Sequence, residues 1–225
     1  MLGTTMALDE RTLIQRLTRD APSHPGVVVG PGDDCAVLEV GLPDRWGLLK
    51  TDAVVEGVHF TPETDPARVG HKALARALSD IAAMAGEPSS AVVTLAAPPE
   101  TAPERLERLY AGMAATARRW SVALVGGETT ATTGPLLVSV ALLGFVEKDG
   151  CLLRRGARPG DALFVTGELG GSLAGRHLDF EPRLVQARWL ARHFRPRAMI
   201  DLSDGLATDL RHLLAADGLG AELLR

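Results

Sequence analysis

The sequence predicts an α/β (α+β) fold in which strands and helices alternate along the chain. Short apolar runs of strand length alternate with longer segments whose apolar residues recur at helical spacing. The chain has 225 residues, of which 46% are hydrophobic, so one large domain or two small ones can bury a core. Aromatic residues make up only 4%, so that core must consist mainly of Leu, Val and Ala.

Five segments carry helical signals. The clearest is 66–87, where Leu74, Leu78 and Ile81 form an apolar face and Gly86 marks the end. The predicted helices are 8–20, 66–87, 99–120, 182–194 and 206–216. A glycine-rich turn at 166–172 is expected to open a further short helix, and such a turn is typical of a phosphate cradle but equally of an ordinary tight turn.

The β-branched and apolar runs between these helices are predicted to be strands. They are 27–29, 46–49, 90–96, 122–125, 136–146, 162–165 and 199–202, and 36–38 is a further short apolar segment. The composition changes near 147–150, and the loop 154–161 is rich in Arg, Gly and Pro. We therefore expect two domains, 1–148 and 149–225.

The composition also argues against several classes of partner. The formal net charge is −4, which disfavours nucleic acid as a ligand. No uncharged run approaches the ~18 residues that a membrane-spanning helix needs, and the N-terminus has no apolar signal region. The two cysteines, Cys35 and Cys151, form no CxxC pattern, so we expect buried thiols and a cytoplasmic protein.

Acidic residues follow four of the predicted strands. They are Asp33 and Asp34, Asp52 (next to Thr51, with Glu56 and His59 beyond), Glu128, and Asp201 with Asp204. A single junction of this kind is more often a polar turn that closes a hairpin. Because the pattern recurs, we expect an end of the sheet where oxygen ligands gather around Mg²⁺.

Asp80 is a further candidate, because it lies at the edge of the apolar face of the helix 66–87. A carboxylate in that position must find a cation or hydrogen-bond donors. Local bonding beside Ser79 is the alternative. Of the neighbours Asp33 and Asp34, at most one is expected to face a given site directly, unless the bend that carries them twists.

Carboxylates gathered at one site repel each other unless multivalent cations lie between them. The reaction that most needs clustered Mg²⁺ is phosphoryl transfer, where metals neutralise phosphate charge. The sequence has neither a GxxxxGK[ST] P-loop nor a GxGxxG fingerprint, and only three Lys. A nucleotide site is therefore expected to be of another type.

Six motifs together resemble one family. They are GPGDDCAVL at 30–38, TDAVVEGVHF at 51–60, HKALARALSDIAAMAG at 71–86, GGETT at 126–130, RRGARPGD at 154–161 and IDLSDGLATDL at 200–210. In this order and spacing they resemble the thiamine-monophosphate kinases, ATP-dependent enzymes of a superfamily that also contains aminoimidazole ribonucleotide synthetase and selenophosphate synthetase.

The resemblance implies transfer of the γ-phosphoryl group of ATP to thiamine monophosphate, giving thiamine diphosphate. The acceptor phosphate is already an anion, so no general base is needed, and no Ser/His or Cys/His constellation is evident. By the same resemblance, several Mg²⁺ ions are expected on Asp34, Thr51, Asp52, Asp80, Glu128, Asp201 and Asp204. ATP is expected on Gly127, Glu128, Arg154 and Ser203, with Arg155 as an alternative to Arg154, and the thiamine phosphate on His59.

The resemblance also implies a mixed N-terminal sheet with helices on one face, and a homodimer formed through that sheet. The chain departs from the family at Glu128, where Asp is usual, at Lys50, where Ser or Thr is common, and at Ala77, where Asn is common. Family members are longer, so the C-terminal domain is expected to be incomplete. The rival interpretations are a non-catalytic Mg-ATP-binding remnant and a sister enzyme with another acceptor.

Overall fold

The structure is a computed structural model that describes residues 10–223. It contains a six-stranded mixed sheet in the order β1-β2-β3-β6-β4-β5. The strands are β1 (Val27–Val29), β2 (Ala36–Leu38), β3 (Arg45–Val55), β4 (Glu87–Ala97), β5 (Ala123–Ala131) and β6 (Leu137–Glu147). All neighbouring strands are antiparallel except the pair β4 and β5.

The helices are α1 (Glu10–Thr18), α2 (Pro66–Ala83), α3 (Pro103–Arg119), α4 (His177–Asp179), α5 (Leu184–His193) and α6 (Leu206–Ala215). A π-helical turn, Ser172–Arg176, leads directly into α4. Residues 8 and 9 of the predicted first helix lie outside the described residues. None of the helices between residues 10 and 223 has both the length and the apolar composition required to cross a membrane.

One face of the sheet is covered and carries the core. Alternation along β3 directs Leu48 and Val54 to this face, where they join α2 residues such as Leu78 and Ile81. The opposite face carries exposed apolar side chains, among them Leu49. The helices thus lie on one face of a mixed sheet, as predicted.

The helices α2 and α3 cross in backbone contact at two glycines. A Cβ atom at Gly70 would lie 1.9 Å from the Leu109 carbonyl oxygen, and one at Gly112 would lie 2.0 Å from that of Ala67. These contacts fix α2 against its neighbour, and α2 in turn positions most of the candidate site.

Two strands, β3 and β5, each continue six residues past their predicted ends. The strand predicted at 46–49 continues to Val55, because Thr51 and Asp52 pair with Ala141 and Val140 of β6. The strand predicted at 122–125 continues through Glu128, which lies opposite Thr94 of β4. The prediction that these acids follow the strands was therefore wrong: ladder pairing holds them within the sheet.

The strands predicted at 162–165 and 199–202 do not form among residues 10–223. A strand needs a neighbour to satisfy its backbone groups, and the second segment makes only one such bond to the preceding region, from Met199 N to Leu153 O at 3.0 Å. The described part of 149–225 instead packs on α2 through α4 and α5, and Leu178, Leu184 and Ala187 enter the same core.

Candidate metal and nucleotide site

Three aspartates from distant parts of the sequence converge. Asp34, Asp80 and Asp201 each offer a carboxylate oxygen, and these oxygens lie within 4.8 Å of one another. Asp34 follows β1, Asp80 lies in the last turn of α2, and Asp201 precedes α6. We call these three residues the aspartate cluster.

Asp34 is the most buried member, and the bend before it sets its direction. Asp33 turns away from the cluster, and its carboxylate accepts hydrogen bonds from Asp34 N at 3.1 Å and Arg154 N at 3.2 Å. Asp34 Oδ1 pairs with the Arg154 guanidinium at 2.5 Å. Oδ2 is buried and has no hydrogen-bond partner among the described residues. Burial raises the pKa of Asp34 to about 7, although Arg154 opposes the shift.

Asp80 contacts the sheet and not its own helix end. Its Oδ1 lies 3.1 Å from Lys50 Nζ on β3. The local alternative, bonding between Asp80 and Ser79, is not observed, because the Ser79 hydroxyl donates to Asp201 Oδ2 at 2.9 Å. Burial and the nearby charge of Asp201 raise the pKa of Asp80 to about 8.

A turn before α6 holds Asp201. The buried Asp209 carboxylate accepts the backbone N–H groups of Asp204 at 3.1 Å and Gly205 at 2.9 Å, and so fixes this turn. Burial raises the pKa of Asp201. Asp204 and Ser203 are exposed at the same turn, where they face solvent.

The aspartate cluster fits a hard divalent cation such as Mg²⁺. It offers oxygen ligands from three separate elements, and Asp34 Oδ2 is a buried acceptor without a donor. The raised pKa values of Asp34 and Asp80 show that, without a cation, burial disfavours their charged forms. A bound cation would reverse that preference.

Asp52 lies beside the cluster on the covered face of the sheet. Its Oδ1 is 3.1 Å from the Arg76 guanidinium. Arg76 belongs to a polar stripe on α2, formed by Lys72, Arg76 and Asp80 at four-residue spacing on an otherwise buried helix. Sequence reasoning missed Arg76 and Lys72, although this spacing was the available signal.

His59 lies at the other end of that stripe. The Lys72 ammonium donates to the His59 carbonyl oxygen at 2.6 Å and lies 2.7 Å from His177 Nδ1. The His59 ring accepts the N–H of Val55 at 3.0 Å through Nδ1, which leaves Nε2 to carry the proton. Burial, with help from Arg76, lowers the pKa values of His59 and of Lys72, the latter to about 8.

Glu56, the second acid of the TDAVVEGVHF motif at 51–60, does not reach the aspartate cluster. Its carboxylate pairs with Arg105 of α3. The sequence offered no signal for this partner, because the two residues are 49 positions apart.

Thr51 and Glu128 do not join the aspartate cluster within one chain. Thr51 points to the open face of the sheet, opposite to Asp52, and its hydroxyl lies 3.4 Å from that of Ser139. Glu128 is exposed opposite Thr94 on the same open face. Two strands separate β3 from β5, so these side chains start about 14 Å apart at the usual strand spacing. Their predicted metal role stays a prediction.

Of the residues predicted to bind the nucleotide, Arg154 lies at the aspartate cluster and Gly127 lies away from it, on the edge strand β5. Arg154 points into the aspartate cluster, whereas Arg155 is exposed, which favours Arg154 over its neighbour. Gly127 lies next to Glu128 on the edge strand, where a Cβ atom would lie 1.8 Å from the Val93 carbonyl oxygen. Sequence reasoning also missed Asp209, although it stands inside the DLSDGLATDL motif.

Known proteins are similar to this chain over most of its length. Residues 32–146 match the family model described as AIR synthase related protein, N-terminal domain. The chain is 46% identical over 221 residues to the thiamine-monophosphate kinase of Rhodopirellula baltica, covering 95% of this chain and 69% of that protein. It is 36% identical over 241 residues to that of Escherichia coli K12, covering 97% and 72%.

Solved structures of thiamine-monophosphate kinases are also similar to this chain. AaThiL complexed with AMPPCP and TMP superposes with a TM-score of 0.84 at 31% identity, covering 96% of this chain and 73% of that one. Thiamine monophosphate kinase from Aquifex aeolicus superposes with a TM-score of 0.75 at 30% identity, covering 95% and 74%.

Proposed function

This chain belongs to the thiamine-monophosphate kinase family, and we propose that it transfers the γ-phosphoryl group of ATP to the phosphate of thiamine monophosphate. An oxygen of the acceptor phosphate bonds to the γ-phosphorus, and the bond from that phosphorus to the β–γ bridging oxygen breaks. The products are thiamine diphosphate and ADP. The related AaThiL structure, which holds an ATP analogue together with TMP, supports this pair of substrates.

The observation that carries the proposal is the convergence of Asp34, Asp80 and Asp201. These residues would hold Mg²⁺, with Asp52 and Asp204 at the border of the site. Bound there, Mg²⁺ would supply the positive charge that phosphoryl transfer requires. The acceptor is already anionic, so the chain needs to bind, orient and shield the two phosphates and does not need to remove a proton.

The remaining predicted contacts have separate tasks. Arg154 would leave its contact with Asp34 and bind a phosphate oxygen of ATP. Ser203, on the exposed turn before α6, would also contact the nucleotide. Gly127 and Glu128 would approach it from the edge strand. His59 would orient the thiamine phosphate, and Lys72 fixes the backbone of His59 from below.

The open face of the sheet supports a homodimer. Leu49 and Val92 are exposed there by 46% and 43%, and a second copy on this face would bury them. It would also approach Thr51 and Glu128, the two predicted ligands that the aspartate cluster of a single chain does not reach. A nucleotide site completed at the dimer interface would account for the exposed apolar residues and for the position of Thr51 and Glu128 away from the cluster.

Two further expectations belong to the same proposal. The boundary near residue 148 would separate an N-terminal part that binds Mg²⁺ and ATP from a C-terminal part that closes over it. A reducing cytoplasm is the expected location, because Cys35 and Cys151 are both free thiols and Cys35 is buried.

The test is phosphoryl transfer from γ-labelled ATP to thiamine monophosphate with Mg²⁺. We expect labelled thiamine diphosphate from this chain and at least a 10²-fold lower rate from Asp80→Asn, in line with the size of electrostatic effects on catalysis. Asp149→Asn is the matched control, because Asp149 is an exposed acid on the loop after β6. A full rate for Asp80→Asn would contradict the assigned metal site.

The outcomes also separate the rival interpretations. A folded chain that binds Mg-ATP and forms no product with thiamine monophosphate would contradict the proposed activity in this chain. Transfer to a different phosphorylated acceptor in a parallel screen would instead indicate a sister enzyme.

A further inference from the structure

Lys50 places a positive charge inside the acidic site. It lies on β3 between Leu49 and Thr51, both of which are exposed on the open face. Alternation turns Lys50 to the covered face, where Nζ lies 3.1 Å from Asp80 Oδ1. The side chains of Lys50 and Asp80 are 24% and 7% exposed, so this contact is not an ordinary surface ion pair.

The ammonium serves more than one carboxylate. Asp52 follows Lys50 by two residues on β3, so its side chain lies on the same covered face of the sheet as the ammonium. The charge of Lys50 also acts on Asp201. Lys50 therefore lies where it neutralises the part of the cluster that is nearest to β3.

The other cluster members have different partners. Arg154 pairs with Asp34, and the neutral Ser79 hydroxyl donates to Asp201. Asp34 Oδ2 remains without a donor. The cluster thus has two cationic partners, Lys50 at Asp80 and Arg154 at Asp34, and its one buried oxygen without a donor among the described residues is Asp34 Oδ2.

We infer that the Lys50 ammonium is a built-in cation of this site, which takes the place beside Asp80 that a divalent ion would otherwise occupy. The unmodified chain then binds one divalent ion fewer than the same site would bind without the ammonium. The ions that it does bind lie nearer to Asp34 than to Asp80. This inference rests on the Mg²⁺ site of the proposed function. Its physical basis is that a fixed ammonium in contact with Asp80 repels a second cation at the same carboxylate.

The experiment counts Mn²⁺ ions, as a probe for Mg²⁺, by electron paramagnetic resonance with AMPPCP present. Lys50→Met removes the charge without adding a ligand, Lys50→Ser removes it and adds a hydroxyl, and Lys50→Arg keeps it. We expect Lys50→Met and Lys50→Ser each to bind about one Mn²⁺ per chain more than the unmodified chain, and Lys50→Arg to bind the same number.

The three variants distinguish the effect of the positive charge from the effect of a missing oxygen ligand. Equal numbers in Lys50→Met and the unmodified chain would overturn the inference, because the ammonium would then exclude no ion. A gain in Lys50→Ser alone would also overturn it, because a missing oxygen ligand would then be the cause. Absence of Mn²⁺ from the unmodified chain would count against the proposed metal site, while the difference between variants would still decide the role of Lys50.

A stability measurement covers the case in which Lys50→Met folds poorly without metal. Removal of the ammonium leaves Asp80 without its counterion, so the melting temperature should fall in metal-free buffer. Mn²⁺ should then raise the melting temperature of Lys50→Met by more than it raises that of the unmodified chain. An equal or smaller rise would overturn the inference.

Discussion

Asp34 and Asp80 have pKa values closer to neutral pH than ordinary aspartates, although Arg154 and Lys50 pair with them. Burial is the main cause, and it raises their pKa values to about 7 and about 8. A divalent ion binds carboxylates and not carboxylic acids, so any proton that these acids carry must leave before it is held. We therefore expect metal binding at this site to depend on pH near neutrality.

We predict that Mg²⁺ binding releases protons at pH 7 and tightens by at least ~10-fold between pH 6 and pH 8. The sign follows from the raised pKa values, because higher pH removes the protons that compete with Mg²⁺. Isothermal titration calorimetry in two buffers of different ionisation enthalpy measures the release. Asp80→Asn should release fewer protons, whereas Asp149→Asn should behave like the unmodified chain. Identical heats in both buffers would show that the acids are already ionised.

Arg154 is the counterion of the most buried acid. We predict that Arg154→Met weakens ATP binding and lowers the free energy of unfolding by about 1–3 kcal/mol, because Asp34 then loses its charged donor. The larger loss that is typical of a broken buried pair is not expected, since Arg154 is 25% exposed and Asp34 can take up a proton.

Arg155→Met is the matched control, because the adjacent guanidinium is exposed. Urea unfolding and ATP titration of both variants provide the measurements. Equal effects of the two substitutions would show that the contact between Arg154 and Asp34 contributes neither to stability nor to ATP binding.

At the scale of elements, the sequence predicted the sheet and the main helices well and their ends less well. Apolar periodicity identified α2 and β6 to within a few residues, because burial on one face imposes that pattern. It underestimated β3 and β5, in which polar residues or glycines interrupt the apolar pattern and pairing with β6 and β4 continues the strands. Pairing between distant strands leaves no local signal at Asp52 or Glu128.

The candidate site was predictable to a similar degree. The motifs identified Asp34, Asp80 and Asp201, and the structure brings them together. The supporting residues Arg76 and Asp209 were missed: the contact of Arg76 with Asp52 joins α2 to β3, whereas Asp209 accepts local backbone N–H groups from the turn before its own helix. Thr51 and Asp52 lie on opposite faces of the sheet, because neighbouring residues of a strand alternate and β3 continues through both.

The crossing of α2 and α3 gives a prediction at this scale. Gly70→Ala would place a methyl group 1.9 Å from the Leu109 carbonyl oxygen, so the helices must separate. We expect a loss of about 1–3 kcal/mol in the free energy of unfolding, as is typical of overpacking, and more if α2 shifts as a whole.

Gly150→Ala is the matched control, because its added methyl group would meet atoms no closer than 3.5 Å. Urea denaturation compares the two variants. A neutral Gly70→Ala would mean that the two helices can move apart without cost.

At the scale of the whole molecule, the open face of the sheet leaves apolar side chains such as Leu49 and Val92 exposed. We predict that Val92→Asp converts a dimer into a monomer, because it places a charge in the centre of the proposed interface. Val185→Asp is the control, since Val185 is an exposed apolar residue on α5, away from that face. Sedimentation velocity measures the mass of each. A dimer that survives Val92→Asp would place the interface elsewhere.

The polar stripe on α2 makes the two halves of the site one rigid unit. Lys72 holds the segment that carries His59, Arg76 holds Asp52, and Asp80 belongs to the aspartate cluster. One residue inserted between Lys72 and Asp80 would rotate one end of the helix by about 100° against the other. The proposed acceptor contact at His59 and the proposed metal site would then lose their alignment together, so we expect the reaction to depend on the spacing of these side chains along α2 as well as on their chemistry.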